Sequence, residues 1–267
     1  MAGRRSRRVQ AARDAYSPNR SLSDRIGESM SNPADAEDIT TAEVDGGHLA
    51  VPAGTGPFPG VVVLHDAFGL TGELRRVCDH LAANGYLALG PRLYKRGLCV
   101  QQVFRGLLRD DGPVFDQIQR ARDTLAARAD CTGRVGVMGF CMGGRFALVT
   151  GGRGMFDVAS VNYGMLFPGK DVDPLLTDPC PVVASYGDAD RYIPTADAER
   201  YRDALARKNV PTDFRVYPDT SHSFFQNYSG VPGLYMKIAG TPYVPEVAAD
   251  AWRRIFDFYA RYLRAPA

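Results

Sequence analysis

The thiol of Cys141 lies at the centre of the sequence Gly139-Phe140-Cys141-Met142-Gly143 and could act as a nucleophile. The apolar residues before it predict a strand, and the residues after it predict a helix. Glycines on both sides allow the sharp strand-to-helix turn that presents a side chain above a sheet. The pattern is typical of a nucleophile elbow with cysteine in place of serine, although a lone cysteine is more often a small buried apolar residue.

Two later loops contain residues that could activate a thiol. Asp188 and Asp190 follow a predicted strand ending at Tyr186, and His222 follows one ending at Tyr217. Functional groups of parallel sheets gather at the carboxyl ends of the strands. A thiol with the ordinary pKa of about 8.5 needs a neighbouring imidazole to form the thiolate, and a carboxylate then orients that imidazole. Either aspartate could serve, or could cap the next helix.

The four histidines of the chain are not equally suited to act as the base. His80 lies within a predicted helix and His48 in a predicted hairpin, which leaves His222 first and His65 second. An imidazole in a loop at the carboxyl end of a strand can reach the nucleophile. The order cysteine, aspartate, histidine also matches the order of triads on α/β-hydrolase sheets.

The oxyanion of a tetrahedral intermediate requires backbone donors. By position, we expect these to be the amides of Met142, at the start of the helix that follows the thiol, and of Ala67. Ala67 belongs to the loop of residues 65–69 that follows a valine-rich strand. Asp66 in the same loop could be an ordinary loop carboxylate.

The elements predicted around these residues alternate between strands and helices. Such alternation predicts an α/β protein with a mostly parallel central sheet and helices on both faces. Long connections are predicted at 91–111 and 223–245, the second being either a packed surface loop or, as we favour, a lid that shapes an apolar pocket. In addition to the strand before Cys141, strands are predicted in a hairpin at 39–51 and at 60–65, 86–90, 158–163, 181–186 and 214–217. In addition to the helix after Cys141, helices are predicted at 73–83, 114–127, 196–208 and 253–263.

The length of 267 residues and the hydrophobic content of 45% fit one main domain, which we place at residues 36–267. Residues 1–35 are predicted to be a flexible basic tail, because they are poor in large apolar residues. The first 30 residues contain seven arginines and three acidic residues, a net charge of +4 in a chain whose total is +2. A nucleic-acid-binding arm is not favoured, since Tyr16 is its only aromatic residue and no basic patch occurs elsewhere.

Cysteine usage predicts a cytoplasmic protein with reduced thiols. The number of cysteines is odd, and they form no CxxC pair and follow no secretory signal. No apolar run approaches the roughly 20 residues of a membrane helix. The chain lacks the motifs HExxH, paired CxxC and the phosphate loop, so no metal and no cofactor are expected. The five cysteines are Cys78, Cys99, Cys131, Cys141 and Cys180.

Four segments together resemble motifs of the dienelactone hydrolase family. The segments are residues 91–96, 139–144, 187–194 and 217–224. The resemblance covers roughly residues 40 to 264 and implies an α/β-hydrolase fold. It also implies a triad of Cys141, Asp190 and His222, hydrolysis of a lactone or related ester through an acyl-enzyme, and no cofactor.

Two positions depart from the family's pattern. Asp66 stands where the family usually has glutamate, which is one methylene longer, so the gating or activation of the thiol is expected to differ. Arg96 matches one of the arginines with which dienelactone enzymes bind a substrate carboxylate, but Gln226 stands four residues beyond His222, where another is expected. A neutral amide does not replace a bidentate guanidinium, which puts the dienelactone substrate itself in question.

The sequence therefore predicts a cysteine-dependent hydrolase of a small-molecule ester or lactone, monomeric or homodimeric, with no nucleic-acid or membrane partner. Two alternatives stay open: a thioesterase or general carboxylesterase, and a non-catalytic hydrolase-fold binding protein. The residues expected to bind the substrate or gate the site are Asp66, Arg96, Phe140, Phe224 and Gln226.

Overall fold

The computed structural model of the protein describes residues 39–93 and 98–264. The predicted basic tail and Arg96 lie outside these residues. The strands found in them are β1 (Thr40–Val44), β2 (Gly47–Val51), β3 (Phe58–Leu64), β4 (Leu87–Gly90), β5 (Cys131–Phe140), β6 (Ala159–Asn162), β7 (Val182–Gly187) and β8 (Thr212–Tyr217). The helices found in them are α1 (Gly72–Ala83), α2 (Leu98–Arg109), α3 (Pro113–Ala126), α4 (Met142–Gly151), α5 (Thr195–Arg207), α6 (Gly230–Ile238) and α7 (Pro245–Tyr262).

All of these strands belong to one sheet in the order β1-β2-β4-β3-β5-β6-β7-β8. Strand β2 is antiparallel to both of its neighbours, β1 and β4. All of the remaining neighbouring pairs, from β4-β3 to β7-β8, are parallel. The predicted hairpin is confirmed, with Asp45 and Gly46 at φ values of 51° and 76° in the turn between β1 and β2. The prediction of a mostly parallel α/β sheet is therefore correct.

Helices cover the sheet on both faces. Residues 60–64 of β3 and 135–140 of β5 are buried without interruption. Because side chains alternate between the faces of a strand, unbroken burial means that both faces are covered. Helices α1 and α7 meet through the rings of His80 and Trp252, whose centroids are 4.6 Å apart. Helices α3 and α4 meet through the rings of Phe115 and Phe146, whose centroids are 5.6 Å apart.

The predicted connection at 91–111 is wrong over residues 98–109, which form helix α2. Glycine is unfavourable within a helix, but Gly106 has a packing role here. A Cβ atom at Gly106 would lie 2.5 Å from Cγ1 of Val114, so only glycine lets α2 approach α3 this closely. Val103 and Leu107, spaced as on one face of a helix, are buried.

Two further differences lie near the C-terminal end. The predicted connection at 223–245 contains the nine-residue helix α6, none of whose residues is buried. Helix α7 begins at Pro245, about two turns before its predicted start at 253, and the buried residues Ala248, Ala251 and Trp252 hold the additional turns against the core. No helix within residues 39–93 and 98–264 is long and apolar enough to cross a membrane.

The sheet brings together the loops that the sequence analysis singled out. Strands β3, β5, β6, β7 and β8 are consecutive parallel neighbours, so their carboxyl ends lie along one edge. The residues that follow these ends include Asp66, Cys141, Tyr163, Asp190 and His222. This edge therefore holds the candidate site.

Candidate active site

Cys141 occupies the turn between β5 and α4 and has φ 53° and ψ −113°. A positive φ is costly for a residue with a Cβ atom and is found where the surrounding structure enforces it. The glycines on either side are required by close backbone contacts. A Cβ atom at Gly139 would lie 2.1 Å from the carbonyl oxygen of Gly143, and one at Gly143 would lie 2.2 Å from that of Leu64. The predicted strand, turn and helix are thus confirmed.

His222 lies between a carboxylate and the thiol. Its Nδ1 is 2.7 Å from Oδ2 of Asp190, and both residues are buried. An ionised carboxylate can only accept, so Nδ1 donates this hydrogen bond and Nε2 remains for the hydrogen bond with Cys141. The other oxygen of Asp190 accepts from the backbone amides of Tyr192 and Ile193, at 2.8 and 3.1 Å. Because both oxygens are held, the carboxylate fixes the ring.

The structure distinguishes the two candidate aspartates. Asp190 is 7% exposed and contacts His222, whereas Asp188 is exposed. The backbone amide of Asp188 donates to the carbonyl oxygen of Tyr217 at 3.0 Å, which joins this loop to the end of β8. Asp190 is therefore the aspartate that is placed to orient the imidazole.

The surroundings of His222 favour the charged imidazolium. Burial opposes the charge, but the hydrogen bonds with Asp190 and Cys141 and their negative charges outweigh it and raise the pKa of His222 to about 10. The ring also packs edge-on against Tyr163 and Tyr192, with centroids 4.9 and 5.1 Å away. An imidazolium at neutral pH is suited to stabilise a thiolate.

His65, the second histidine at this edge, is held neutral. It is fully buried, and burial lowers its pKa to about 4. The backbone amide of Leu93 donates to Nε2 at 3.2 Å, and Nδ1 contacts the carbonyl oxygen of Asp66 at 2.8 Å. Nε2 is an acceptor here, so Nδ1 carries the proton. Both ring nitrogens thus bind backbone groups of the two neighbouring loops.

The two residues whose amides are expected to hold an oxyanion lie next to Cys141 in the chain or line its pocket. Met142 is the first residue of α4, so its amide belongs to the positive end of that helix, next to Cys141. Ala67 is exposed and lines the same pocket as Cys141 and His222. Their role as oxyanion donors stays a prediction.

Asp66 belongs to a chain of hydrogen bonds on the other side of the thiol. Its Oδ1 accepts from the backbone amide of Phe68 at 2.8 Å, and its Oδ2 accepts from the hydroxyl of Tyr228. The Tyr228 oxygen is also 2.6 Å from Oε1 of Gln226, which accepts from the Tyr163 hydroxyl at 3.2 Å. Burial raises the pKa of Asp66 to about 6, against the opposing effects of Phe68 and His222.

A pocket of about 220 Å³ opens above Cys141. Most of its wall is apolar or aromatic, and the predicted connection that contains α6 contributes Tyr235, Met236 and Thr241. The interpretation of this segment as a pocket wall therefore agrees with the structure. The residues that line the pocket are Asp66, Ala67, Phe68, Cys141, Met165, Tyr192, His222, Ser223, Tyr235, Met236 and Thr241.

Three of the expected substrate or gating residues do not line this pocket. Phe140 and Phe224 are fully buried, and they pack against Phe225 and Tyr163 at centroid distances of 5.2 Å each. They lie beneath the site and support it. Gln226 is 3% exposed and reaches the site only through the two tyrosine hydroxyls. Arg96, as noted, is outside the described residues.

Sequence reasoning missed Tyr163 and Met165. Both follow β6, whose carboxyl end was not among the strand ends inspected, although the same rule applies to it. Tyr163 has φ 37° and is fully buried against His222, and Met165 lines the pocket. Inspecting every predicted strand end would have found both.

The sequence model described as "Dienelactone hydrolase family" matches residues 46–263. The chain belongs to the dienelactone hydrolase family. It is therefore an enzyme that hydrolyses ester or lactone bonds, and the non-catalytic interpretation is set aside. Within the part of the chain that the structure describes, no group of three or more His, Cys, Asp or Glu residues could hold a metal ion.

Individual relatives agree with the family assignment. A protein of Methylorubrum extorquens named "Putative carboxymethylenebutenolidase" is 32% identical over 235 residues, 80% of this chain and 76% of that protein. The carboxymethylenebutenolidase of Rhodococcus opacus is 29% identical over 233 residues, 81% of this chain and 86% of that protein. The crystal structure of a dienelactone hydrolase from Anabaena variabilis matches with a TM-score of 0.61 at 20% identity, covering 85% of this chain and all of that one. The fold is thus that of the α/β-hydrolases, as the resemblance implied.

Proposed function

We propose that this dienelactone hydrolase family enzyme cleaves small esters or lactones with Cys141 as its nucleophile, through an acyl-enzyme. The observation that carries the proposal is the buried imidazole of His222, which is 2.7 Å from Asp190 and hydrogen-bonded to Cys141. A thiol, a base and an orienting carboxylate in this arrangement are the parts that nucleophilic acyl transfer requires.

Acylation begins from a thiolate and an imidazolium. This pair forms before the reaction, when the thiol proton of Cys141 passes to Nε2 of His222, and the thiolate sulfur then attacks the carbonyl carbon of the substrate. The carbonyl π electrons move to the oxygen, where the amides of Met142 and Ala67 stabilise the oxyanion. When the intermediate collapses, the C–O bond to the alcohol breaks, and the leaving alkoxide takes the proton from Nε2.

Deacylation uses the same groups in reverse. The neutral imidazole of His222 takes a proton from water, and the hydroxide attacks the thioester carbon. Collapse of the second intermediate breaks the C–S bond, releases the acid and returns the proton to the sulfur of Cys141. Asp190 holds the ring in one tautomer and stabilises its charge in both halves of the reaction. No step requires a cofactor.

The residues around the triad have positioning roles in this scheme. Phe140 and Phe224 support Cys141 and His222 from beneath. Asp66 and Gln226, joined by the hydroxyl of Tyr228, hold the loop that contains Ala67 against the pocket. The charge of Asp66 also lies near His222 and so affects the state of the thiol pair.

The test compares the two cysteines at opposite ends of β5. Cys131 begins β5 and Cys141 follows its end, and both are half-buried. We expect Cys141→Ala to abolish the hydrolysis of p-nitrophenyl esters and Cys131→Ala to leave it intact. Mass spectrometry of quenched wild-type enzyme should find the acyl group on the peptide that contains Cys141. Activity retained in Cys141→Ala, or an acyl group elsewhere, would contradict the proposal. An acyl thioester tested alongside separates an esterase from a thioesterase.

A further inference from the structure

Among the residues that the structure describes, the pocket above Cys141 contains negative charge without a matching cation. Two of the described residues that line it, Asp66 and His222, have ordinary pKa values below those of tyrosine and cysteine. None of the described lining residues is lysine or arginine. The charge of His222 is already balanced by Asp190 and Cys141. A bound anion would therefore meet Asp66 with no opposite charge to offset it.

The polar side chains of Asp66 and Gln226 are already engaged with each other's partners. Both oxygens of Asp66 accept hydrogen bonds, from the Phe68 amide at 2.8 Å and from the Tyr228 hydroxyl. The amide oxygen of Gln226 accepts from Tyr163 and contacts Tyr228 at 2.6 Å, and Gln226 is buried behind the pocket wall. A substrate carboxylate that took the Tyr228 hydroxyl as its donor would have to displace it from Asp66 and Gln226.

The rest of the wall suits an apolar group. The ring of Phe68 packs edge-on against Tyr228 and Tyr235, with centroids 5.4 and 6.0 Å away. Met165 and Met236 face the same space, and thioether side chains adapt to apolar ligands of varied shape. Tyr235, which is 55% exposed, and the neighbouring Leu234, which is 61% exposed, continue the apolar surface outward along α6.

We propose that this pocket selects uncharged esters and lactones with an apolar acyl group and discriminates against substrates that carry a carboxylate. The inference rests on the proposed function, since it assumes that the acyl group binds beside Cys141. Burying an ionised carboxylate without a partner is costly, and Asp66 adds repulsion. An apolar acyl chain meets neither penalty and gains from the removal of its surface from water.

A matched pair of substrates tests the proposal directly. p-Nitrophenyl hexanoate and the mono-p-nitrophenyl ester of adipic acid share the leaving group and the chain length, and differ in a terminal methyl or carboxylate. We expect kcat/KM of wild-type enzyme to be on the order of a hundredfold higher for the hexanoate, because the pocket leaves the carboxylate unpaired. Equal values, or a preference for the adipate ester, would overturn the proposal. Hexanoate hydrolysis that persists in Cys141→Ala would instead overturn the proposed function.

Two lysine substitutions on α6 provide a second, independent measurement. Met236 lines the pocket, whereas Ile238 lies on the same helix, is 78% exposed and is not among the lining residues. We expect Met236→Lys to reduce the hexanoate preference by about tenfold and Ile238→Lys to leave it unchanged, since only the first places a cation beside the acyl group. Neither residue is buried, so both variants should fold. Equal effects of the two substitutions would contradict the proposal.

Arg96 lies outside the described residues, and the family resemblance assigns it to the binding of a substrate carboxylate. If wild-type enzyme preferred the adipate ester and Arg96→Met removed that preference, the proposal would fail and the recognition of the carboxylate would belong to Arg96. An unchanged hexanoate preference in Arg96→Met is the expected result.

Discussion

The loop after β3 and the loop after β8 each contain a buried histidine, and the two rings have opposite charge preferences. His65 is fully buried, and its pKa is lowered to about 4. His222 is 5% exposed, and its pKa is raised to about 10. Burial acts on both in the same direction, so the partners account for the difference. His65 binds two backbone groups, whereas His222 binds the side chains of Asp190 and Cys141.

The comparison indicates how one sheet edge separates a structural from a chemical role. Burial keeps the ring of His65 neutral, because its backbone partners do not raise its pKa enough to offset the burial, and the ring joins the loop of Asp66 to Leu93. Charged partners stabilise the imidazolium of His222, which can then give and take protons. The partners of a histidine are therefore more informative than its burial or its place after a strand.

The largest expected effect follows from removing the ring of His222. His222→Ala should lower kcat for a p-nitrophenyl ester on the order of 10⁴-fold, because proton transfer in both halves of the reaction uses this ring. Circular dichroism would establish that the variant is folded. A fall of less than about tenfold in a folded variant would contradict the assigned role.

The next effect tests the partner that distinguishes the two histidines. Asp190→Asn keeps the shape of the side chain but removes the charge, so the pKa of His222 should fall from about 10. We expect kcat to fall on the order of 10³-fold, since the amide also favours the wrong tautomer. Asp188→Asn is the matched control and should change kcat little, because Asp188 is exposed. Similar losses in both variants would remove the distinction between the two aspartates.

A moderate effect on stability is expected at Asp66. Its pKa is raised from 3.8 to about 6 by burial, so the folded state binds more protons than the unfolded state between these values. This contribution to stability is fully present below about pH 4 and is lost as the pH rises through about 6. The side chain of Asp66→Asn does not ionise, so this variant does not lose stability as the pH rises. At about pH 8 its free energy of unfolding should exceed that of wild type by about 2 to 3 kcal/mol, and at about pH 4 this difference should be absent. Urea unfolding at the two pH values measures both, and a pH-independent difference would contradict the shift.

The smallest effect on catalysis is expected at His65. His65→Asn removes one of two buried backbone contacts and should cost about 1 to 3 kcal/mol of unfolding free energy. The value of kcat should stay within about tenfold of wild type, since the ring takes no part in proton transfer. A loss as large as that of His222→Ala, with the fold intact, would contradict the structural role assigned to His65.

The mostly parallel sheet and the place of His222 in a loop after the last strand could be predicted from the sequence, because apolar runs and the residues that follow them are local properties. The valine-rich β3, the Asp45-Gly46 turn and the glycines around Cys141 each determine their conformation through nearby residues. These features account for the success of the strand predictions.

Contacts between distant residues could not be predicted in this way. Tyr228 and Asp66 are 162 positions apart, and their hydrogen bond depends on how two loops meet. Helix α2 was missed because the role of Gly106 is defined by Val114 on another helix. The choice between Asp188 and Asp190 likewise needed the direction of each side chain.

Titration of both rings in one sample by NMR, with labelled histidine, tests the central claim most directly. Spectra of His65→Asn and His222→Ala assign the two resonances. We predict that His222 remains protonated until the pH approaches about 10 and that His65 remains neutral until it falls to about 4. If His222 instead titrates at or below the ordinary histidine pKa of about 6.5, its partners do not control its charge, and the account of the site is wrong.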